Sequence, residues 1–212
     1  MTRTDIINYF FDSILGYKKH YLEIGLGNPY DNYINVRCAY KECVDPIKEE
    51  RYTKFYNIDN ILTYRMTSDE FFATNKKKYD LIFIDGLHIG SQVVKDIINS
   101  YSALNDGGYI ILHDCLPLKE EHQLDDSKLS LTKYNCWNGS VWRAIINLYR
   151  ADINYNTVDT DQGCCIIKYN GSKDFSNYIE TSLSYNEAFS NTNVRNTLMH
   201  VITEKEFLKI YK

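Results

Sequence analysis

The segment YDLIFI, residues 79–84, constrains the fold of this chain most strongly. A short, nearly continuous apolar run is typical of a strand that is covered on both faces, as in the centre of a parallel sheet. A second such run, residues 109–113, follows a helical pattern at 91–104 and a turn at 105–108. Parallel strands need a helical crossover of this kind between them. The pattern therefore predicts an α/β fold with helices on both faces of the sheet.

The rest of the chain continues the alternation of strands and helices. The further predicted strands are residues 20–25, 40–44, 61–66, 153–158 and 164–169. The further predicted helices are residues 4–15, 68–75, 139–150 and most of 171–212. Ser68 is the predicted N-cap of its helix. A short turn joins the last two strands, so they form a hairpin, and the final strand runs against the others.

The composition argues against several classes of protein. The formal net charge is −4, whereas nucleic-acid binders usually carry a basic face. No apolar run approaches the ~20 residues that span a bilayer, and Asp5 and Asp12 make the N-terminal segment unlike a signal peptide. The six cysteines form no CxxC pair. We therefore expect a cytoplasmic protein with free thiols and with no membrane or nucleic-acid partner.

Glycines and carboxylates follow the first two predicted strands. Glu23, Gly25 and Gly27 lie where the first strand ends, and Asp45 ends the second. Such glycines let the backbone approach a nucleotide-like ligand, although glycine is also common in plain tight turns. Asp45 could accept the two hydroxyls of a ribose, or simply precede a proline in a turn. Because Glu23 would repel a pyrophosphate, charge favours a cationic ligand such as S-adenosylmethionine (SAM) over NAD.

Two aspartates and two histidines follow the next two strands. Asp85 and His88 come after residues 79–84, and His113 and Asp114 end the following strand. Neighbouring parallel strands end at the same edge of a sheet, so we expect these four side chains to converge. They could hold a divalent metal such as Mg²⁺. Alternatively, one histidine could act as a general base. Taken singly, Asp85 and Asp114 could merely cap helices or loops, and the histidines could merely pack.

Several segments, in their order along the chain, resemble class I SAM-dependent methyltransferases: YLEIGLG, VDP, MTSDEFF, YDLIFIDGLH, LNDGGYIILHDCLP and VWRAI. The resemblance covers roughly residues 20–169 and is greatest to bacterial O-methyltransferases of sugars and other small molecules, including the macrocin-type enzymes. It implies a Rossmann-like, seven-stranded, mostly parallel sheet with an antiparallel terminal hairpin. It also implies an enzyme that methylates a hydroxyl group of a small polar or sugar-like acceptor.

The resemblance also implies roles for individual residues. Glu23, Gly25 and Gly27 would contact the methionine part of SAM, and Asp45 would contact its ribose. Ser68 and Asp69 would lie against its adenine. Asp85 would belong to the same site. Asp85 and Asp114 coincide with the metal-binding carboxylates of members similar to catechol O-methyltransferase. His88 falls near the catalytic base of those members, and His113 is the next candidate.

Two further features concern organisation. Residues 115–137 form a long polar loop, which is predicted to be a lid within a methyltransferase domain of residues 1–170. Residues 171–212 are predicted to be a helical extension that packs on the same domain and, with the helix at 4–15, offers a surface for a homodimer. Two alternatives stay open: a nucleotide-sugar or NAD-linked oxidoreductase, and a catalytically silent binding module with a SAM fold.

Overall fold

The computed structural model describes residues 1–47, 60–124 and 136–212. In these residues seven strands form one sheet: β1 His20–Ile24, β2 Tyr40–Val44, β3 Tyr79–Ile84, β4 Leu104–Leu112, β5 Tyr155–Val158, β6 Cys164–Lys168 and β7 Val201–Ile202. Their order across the sheet is β2-β1-β3-β4-β6-β5-β7. Strand β6 runs antiparallel to β4 and β5, and the other neighbouring pairs are parallel. The predicted mostly parallel, Rossmann-like sheet with its antiparallel hairpin is confirmed.

Helices precede, connect and follow these strands. The α-helices in the described ranges are α1 Arg3–Tyr9, α2 Ser68–Thr74, α3 Gly90–Ser102, α4 Val141–Ile145, α5 Tyr185–Phe189, α6 Thr192–Leu198 and α7 Glu204–Ile210. Helix α1 continues as a π-helix over Phe10–Leu15, and 3₁₀ turns occupy Tyr33–Asn35, Glu120–Gln123 and Leu148–Ala151. Within the part of the chain that the structure describes, we find no helix long and apolar enough to cross a membrane.

The two faces of the sheet have separate hydrophobic cores. Every residue of β3 is buried. Leu81 and Phe83 belong to the core that includes residues of α1 and α7. Ile82 and Ile84 belong to the core that includes residues of α3 and α4. Because successive side chains of a strand point to opposite faces, both sets must be apolar, which explains the continuous apolar run in the sequence.

The seventh strand is not the one expected from the sequence. The predicted strand at residues 61–66 is wrong, since only Tyr64 forms a parallel bridge there, with Val44. The seventh strand is β7, which pairs with β5 at the opposite edge of the sheet. It comes from the segment 171–212, which also carries α5, α6 and α7. A strand of two residues has no periodicity that sequence analysis could detect.

Two local predictions also need correction. The residues of the predicted turn at 105–108 lie within β4, where the pairing with β3 changes register between Tyr79 and Leu81. The N-cap of α2 is Thr67 rather than Ser68, because the Thr67 hydroxyl accepts a hydrogen bond from the Glu70 backbone N–H. The Glu70 carboxylate in turn accepts from the Thr67 N–H, which completes a capping box.

Helix α1 is held in place by aromatic contacts with the C-terminal helix α7. The Tyr9 ring lies 5.1 Å from the Phe207 ring, and the Tyr9 hydroxyl donates a hydrogen bond to the Tyr211 carbonyl at 2.7 Å. Phe10 packs against Tyr109 of β4, with 4.6 Å between the ring centroids. These contacts position the first residues of α1 near the carboxyl ends of the strands.

Candidate functional site

A cavity of ≈ 420 Å³ lies at the carboxyl ends of β1, β3 and β4. Its size falls in the range of pockets that bind small molecules, and its place in the sheet is where such folds bind ligands. The predicted site residues that line it are Glu23, Gly25, Gly27, Asp85, His88, His113 and Asp114. Asp45, Ser68 and Asp69 do not line it. Of the predicted lid, residues 125–135 lie outside the described residues, whereas Cys136 and Trp137 line the cavity.

The glycine turn after β1 brings the ends of two strands together. Gly25 has φ +88°, and a Cβ atom there would lie 2.1 Å from the Asp85 carbonyl oxygen. Both the backbone conformation and this close approach require glycine. Gly27 has φ +48°, but no atom lies within 4 Å of where its Cβ would be. Gly25 therefore lets the backbone at Asp85 come close to β1, and Gly27 leaves open space beside the turn.

The Asp45 carboxylate organises this same turn. Its Oδ2 accepts hydrogen bonds from the backbone N–H groups of Leu26 and Gly27, at 2.7 and 3.2 Å. Its Oδ1 accepts from the Ile47 N–H at 2.8 Å. The side chain thus ties the glycine turn to the end of β2. The ribose contact of Asp45 stays a prediction.

Ser68 and Asp69 face helix α3 rather than the cavity. The Gln92 side-chain amide donates hydrogen bonds to the Ser68 hydroxyl at 3.3 Å and to the Asp69 carboxylate at 2.9 Å. Lys95 forms an ion pair with Asp69 at 3.4 Å. The adenine contacts of these two residues also stay a prediction.

Glu23 is a buried carboxyl group beside the glycine turn. Its side chain accepts hydrogen bonds at Oε2 from the Tyr21 hydroxyl, at 2.5 Å, and from the Asn32 amide, at 2.8 Å. Burial raises the pKa of Glu23 to about 8, against these hydrogen bonds, and the nearby negative charge of Asp85 adds to the increase. Glu23 therefore holds a proton at neutral pH, and a cation bound beside it would favour the carboxylate.

The four residues that end β3 and β4 form one cluster of charged groups. The His88 Nε2 lies 3.2 Å from Asp85 Oδ1, and the His113 Nδ1 lies 3.1 Å from Asp114 Oδ2. The cross distances, His113 Nδ1 to Asp85 and His88 Nδ1 to Asp114, are both 3.5 Å. The parallel arrangement of β3 and β4 accounts for the convergence, because both strands end at the same edge of the sheet.

Mutual attraction dominates the protonation of this cluster. Burial alone would raise the pKa of Asp85, but the charges and hydrogen bonds of His113 and His88 hold it well below its usual range. Burial alone would lower the pKa of His113, but Asp85 and Asp114 raise it well above the ordinary value. The pKa of His88 is raised against burial in the same way, first by its hydrogen bond with Asp85. At Asp85, His88 and His113, the attraction between opposite charges therefore outweighs the cost of burial.

Trp137 and Asn138 contact the cluster and orient it. The Trp137 ring stacks on the His88 ring, with 4.6 Å between the ring centroids. The backbone carbonyl oxygen of Trp137 lies 3.1 Å from His88 Nδ1. The Asn138 amide donates a hydrogen bond to Asp114 Oδ1 at 2.9 Å. Asp114 has φ +59°, a left-handed conformation that non-glycine residues adopt at some energetic cost. These contacts hold the Asp114 carboxylate towards the histidines.

Two charged residues at the centre of the site, Arg3 and Asp161, were not predicted from the sequence. Arg3 Nη1 donates a hydrogen bond to Asp85 Oδ2 at 2.8 Å and lies 3.0 Å from His113 Nδ1. Arg3 Nε lies 3.2 Å from Asp161 Oδ2, and the same oxygen accepts from the Arg3 backbone N–H at 2.7 Å. Asp161 Oδ1 lies 3.5 Å from His113 Nε2. The pKa of Asp161 is lowered: burial opposes the change, but His113 and Arg3 outweigh it.

The position of Asp161 could have been inferred from the hairpin. Strand β6 pairs antiparallel with β4, and Cys165 lies opposite Leu112. The turn before β6 must therefore lie beside the residues that follow β4, including His113. No comparable sequence pattern indicates Arg3, because nothing in the periodicity of residues 4–15 says where this helix packs.

The donor set has part of what a divalent metal needs. Asp85, His113 and Asp114 each offer a ligand atom, and these atoms lie within 4.8 Å of one another. Two carboxylates and an imidazole suit several divalent ions, although Mg²⁺ prefers oxygen ligands alone. However, the guanidinium of Arg3 already contacts Asp85 and lies beside His113. A metal ion therefore does not fit this arrangement of side chains.

Comparison with known proteins agrees with the resemblance found in the sequence. The family described as "Methyltransferase domain" matches residues 36–115. No curated protein matches the chain. The fold is that of class I SAM-dependent methyltransferases, and the predicted resemblance is confirmed.

Three solved structures illustrate this likeness. The O-methyltransferase TomG from Streptomyces achromogenes, in complex with SAM, has a TM-score of 0.53 and 9% identity, over 81% of this chain and 82% of that one. A putative caffeoyl-CoA O-methyltransferase from Staphylococcus aureus has a TM-score of 0.54 and 16% identity, over 79% and 82%. An O-methyltransferase from Bacillus cereus with SAH has a TM-score of 0.50 and 13% identity, over 80% and 82%. At these identities the likeness establishes the fold.

Proposed function

We propose that the protein transfers a methyl group from SAM to a hydroxyl oxygen of a small polar or sugar-like acceptor. One observation carries the proposal. The glycine turn with Glu23 and the Asp85–His88 pair line the same cavity, so a cationic methyl donor and a proton acceptor for the substrate would be neighbours. The methyltransferase domain match and the SAM-bound structural neighbour support the choice of donor.

The residues at the end of β1 would bind the donor. SAM supplies a sulfonium methyl group and also carries an ammonium group. In its ionised form Glu23 would attract this cation. Tyr21 and Asn32 both donate to its Oε2, so neither of them uses Oε1. The open space at Gly27 admits a ligand close to the backbone. These residues would contribute mainly by orienting the reactants, because in-line methyl transfer depends on alignment.

His88 would accept the proton of the substrate hydroxyl. In the neutral form of His88, Nδ1–H would donate to the Trp137 carbonyl, so Nε2 would be free to take the proton. Asp85, 3.2 Å from Nε2, stabilises the imidazolium that results. The stacked Trp137 ring restricts rotation of the imidazole. His113 is the next candidate base, but its ring lies between Asp114 and Asp161 and its side chain is 1% exposed.

Methyl transfer from SAM to a panel of hydroxylated metabolites tests the proposal. His88→Ala should lower kcat by ~10²–10⁴-fold and leave the affinity for SAM unchanged, because the base acts on the acceptor. His20→Ala, which changes an exposed histidine at the start of β1, is the matched control and should behave as wild type. SAM binding without transfer to any acceptor would indicate a silent binding module. Binding of NAD in place of SAM would indicate the oxidoreductase alternative.

A further inference from the structure

The side chain of Arg3 lies where a cation is needed. The cluster contains three carboxylates, those of Asp85, Asp114 and Asp161, all at least partly buried. Arg3 forms ion pairs with Asp85 at 2.8 Å and with Asp161 at 3.2 Å. A guanidinium is planar, permanently charged and offers several donors, so one side chain can join two carboxylates from different strands.

The partners of Asp85 explain why no further cation is required there. Arg3 Nη1 lies 2.8 Å from Asp85 Oδ2 and His88 Nε2 lies 3.2 Å from Asp85 Oδ1, so both oxygens of this carboxylate already have partners. The negative charge of Asp85, Asp114 and Asp161 also raises the pKa of Arg3, although burial opposes this change. A divalent ion added to this arrangement would have to displace Arg3 from Asp85.

The main chain keeps Arg3 in place. Its backbone N–H donates to Asp161 at 2.7 Å, and the carbonyl of Met1 accepts a hydrogen bond from the Thr160 hydroxyl. The side chain of Arg3 is only 23% exposed. The chain at the start of α1 is thus joined to the β5–β6 turn at Met1 and at Arg3.

We propose that Arg3 is the built-in cation of this cluster and takes the place that the sequence resemblance implies for a divalent metal. Arg3 is therefore a positioning residue: it neutralises and orients Asp85 and Asp161, and through them His88 and His113. Removing its charge turns the same side chains into a divalent-cation site. The inference concerns the cation of the cluster and holds whether or not the chain transfers methyl groups.

Binding of Mn²⁺, followed by electron paramagnetic resonance without SAM or acceptor, tests this inference. Wild-type protein should show no saturable site below ~1 mM Mn²⁺, since Arg3 occupies the ligands. Arg3→Gln, which keeps much of the shape and removes the charge, should bind one Mn²⁺ at least tenfold more tightly than wild type. The double variant with Asp85→Asn should lose this site. Arg37→Gln, an exposed arginine that pairs with Asp12, is the matched control and should bind as wild type.

Two results would overturn the inference. One is micromolar Mn²⁺ binding by the wild-type protein that disappears in Asp85→Asn, because the metal would then coexist with Arg3. The other is an Arg3→Gln variant that binds Mn²⁺ no more tightly than wild type. The measurement on the wild-type protein decides the first point even if Arg3→Gln does not fold. Neither result depends on methyl transfer, so failure here and failure of the proposed function can be told apart.

Discussion

Replacing Glu23 by glutamine should remove a pH-dependent loss of stability. The pKa of Glu23 is about 8 in the folded protein, because the group is buried, against an ordinary value of 4.5. Between these two values the folded chain keeps a proton that the unfolded chain releases. The free energy of unfolding therefore falls as pH rises, by about 1.4 kcal/mol per pH unit. A glutamine side chain cannot ionise, and its oxygen can accept the same hydrogen bonds from Tyr21 and Asn32.

The magnitude follows from this window. Over the whole interval from 4.5 to about 8 the loss amounts to about 4 to 5 kcal/mol. Between pH 5.5 and 7.5 the difference in unfolding free energy, Glu23→Gln minus wild type, should grow by about 2 to 3 kcal/mol. Urea denaturation at several pH values measures it, and contributions from other groups cancel in the difference where the substitution leaves them unchanged.

Glu42→Gln is the matched control on the neighbouring strand. Hydrogen bonds from Lys77 and Tyr79 lower the pKa of Glu42, although burial opposes the change. The stability that Glu42 contributes is present above its ordinary pKa and is lost only in acid. The difference in unfolding free energy, Glu42→Gln minus wild type, should therefore stay constant from pH 6 to 8. A Glu23→Gln difference that is equally flat would refute the inference that Glu23 is protonated in the folded state.

Three further outcomes are expected. Asp45→Ala should weaken SAM binding by one to two orders of magnitude in calorimetry, because a charge-assisted acceptor is worth ~1.5–3 kcal/mol; unchanged affinity in the folded variant would remove the ribose assignment. Gly25→Ala should lower the unfolding free energy by at least ~2 kcal/mol, since its Cβ would overlap the Asp85 carbonyl. Gly27→Ala should lower the unfolding free energy by only ~1 kcal/mol, from backbone strain. Equal losses of unfolding free energy for the two variants in urea denaturation would contradict this expectation. Chelation with EDTA should leave methyl transfer within about twofold because Arg3 supplies the cation; loss of activity that Mg²⁺ restores would be the opposite result.

The centre of the sheet could be predicted from the sequence, whereas its edges could not. A central strand such as β3 must be apolar on both faces, and this leaves a continuous run that is visible in the sequence. At the edges, the segment around Tyr64 makes only one bridge, and β7 has only two residues. Their pairing depends on tertiary contacts, and short segments carry little information of their own.

The candidate site, like the sheet, could be predicted from the sequence only in part. Asp85 and His113 follow strands whose adjacency could be inferred, so their proximity follows from the parallel sheet. Arg3 precedes the first strand and reaches the cluster only because α1 packs on β4 and α7. That docking depends on the shape and packing of aromatic side chains, which periodicity does not specify. The capping of the glycine turn by Asp45 likewise depends on where the two loops meet.

The contacts between α1 and α7 also bear on the order in which the site is completed during synthesis. Arg3 leaves the ribosome about 200 residues before Phe207, which packs against Tyr9 and Phe10. Asp161, the other partner of Arg3, emerges in between. Domains are made from the N-terminus at about 5–20 residues per second, so Arg3 waits on the order of ten seconds or more for the helix that secures it. A nascent chain stalled before residue 207 therefore presents Asp85 and His113 without a firmly seated guanidinium.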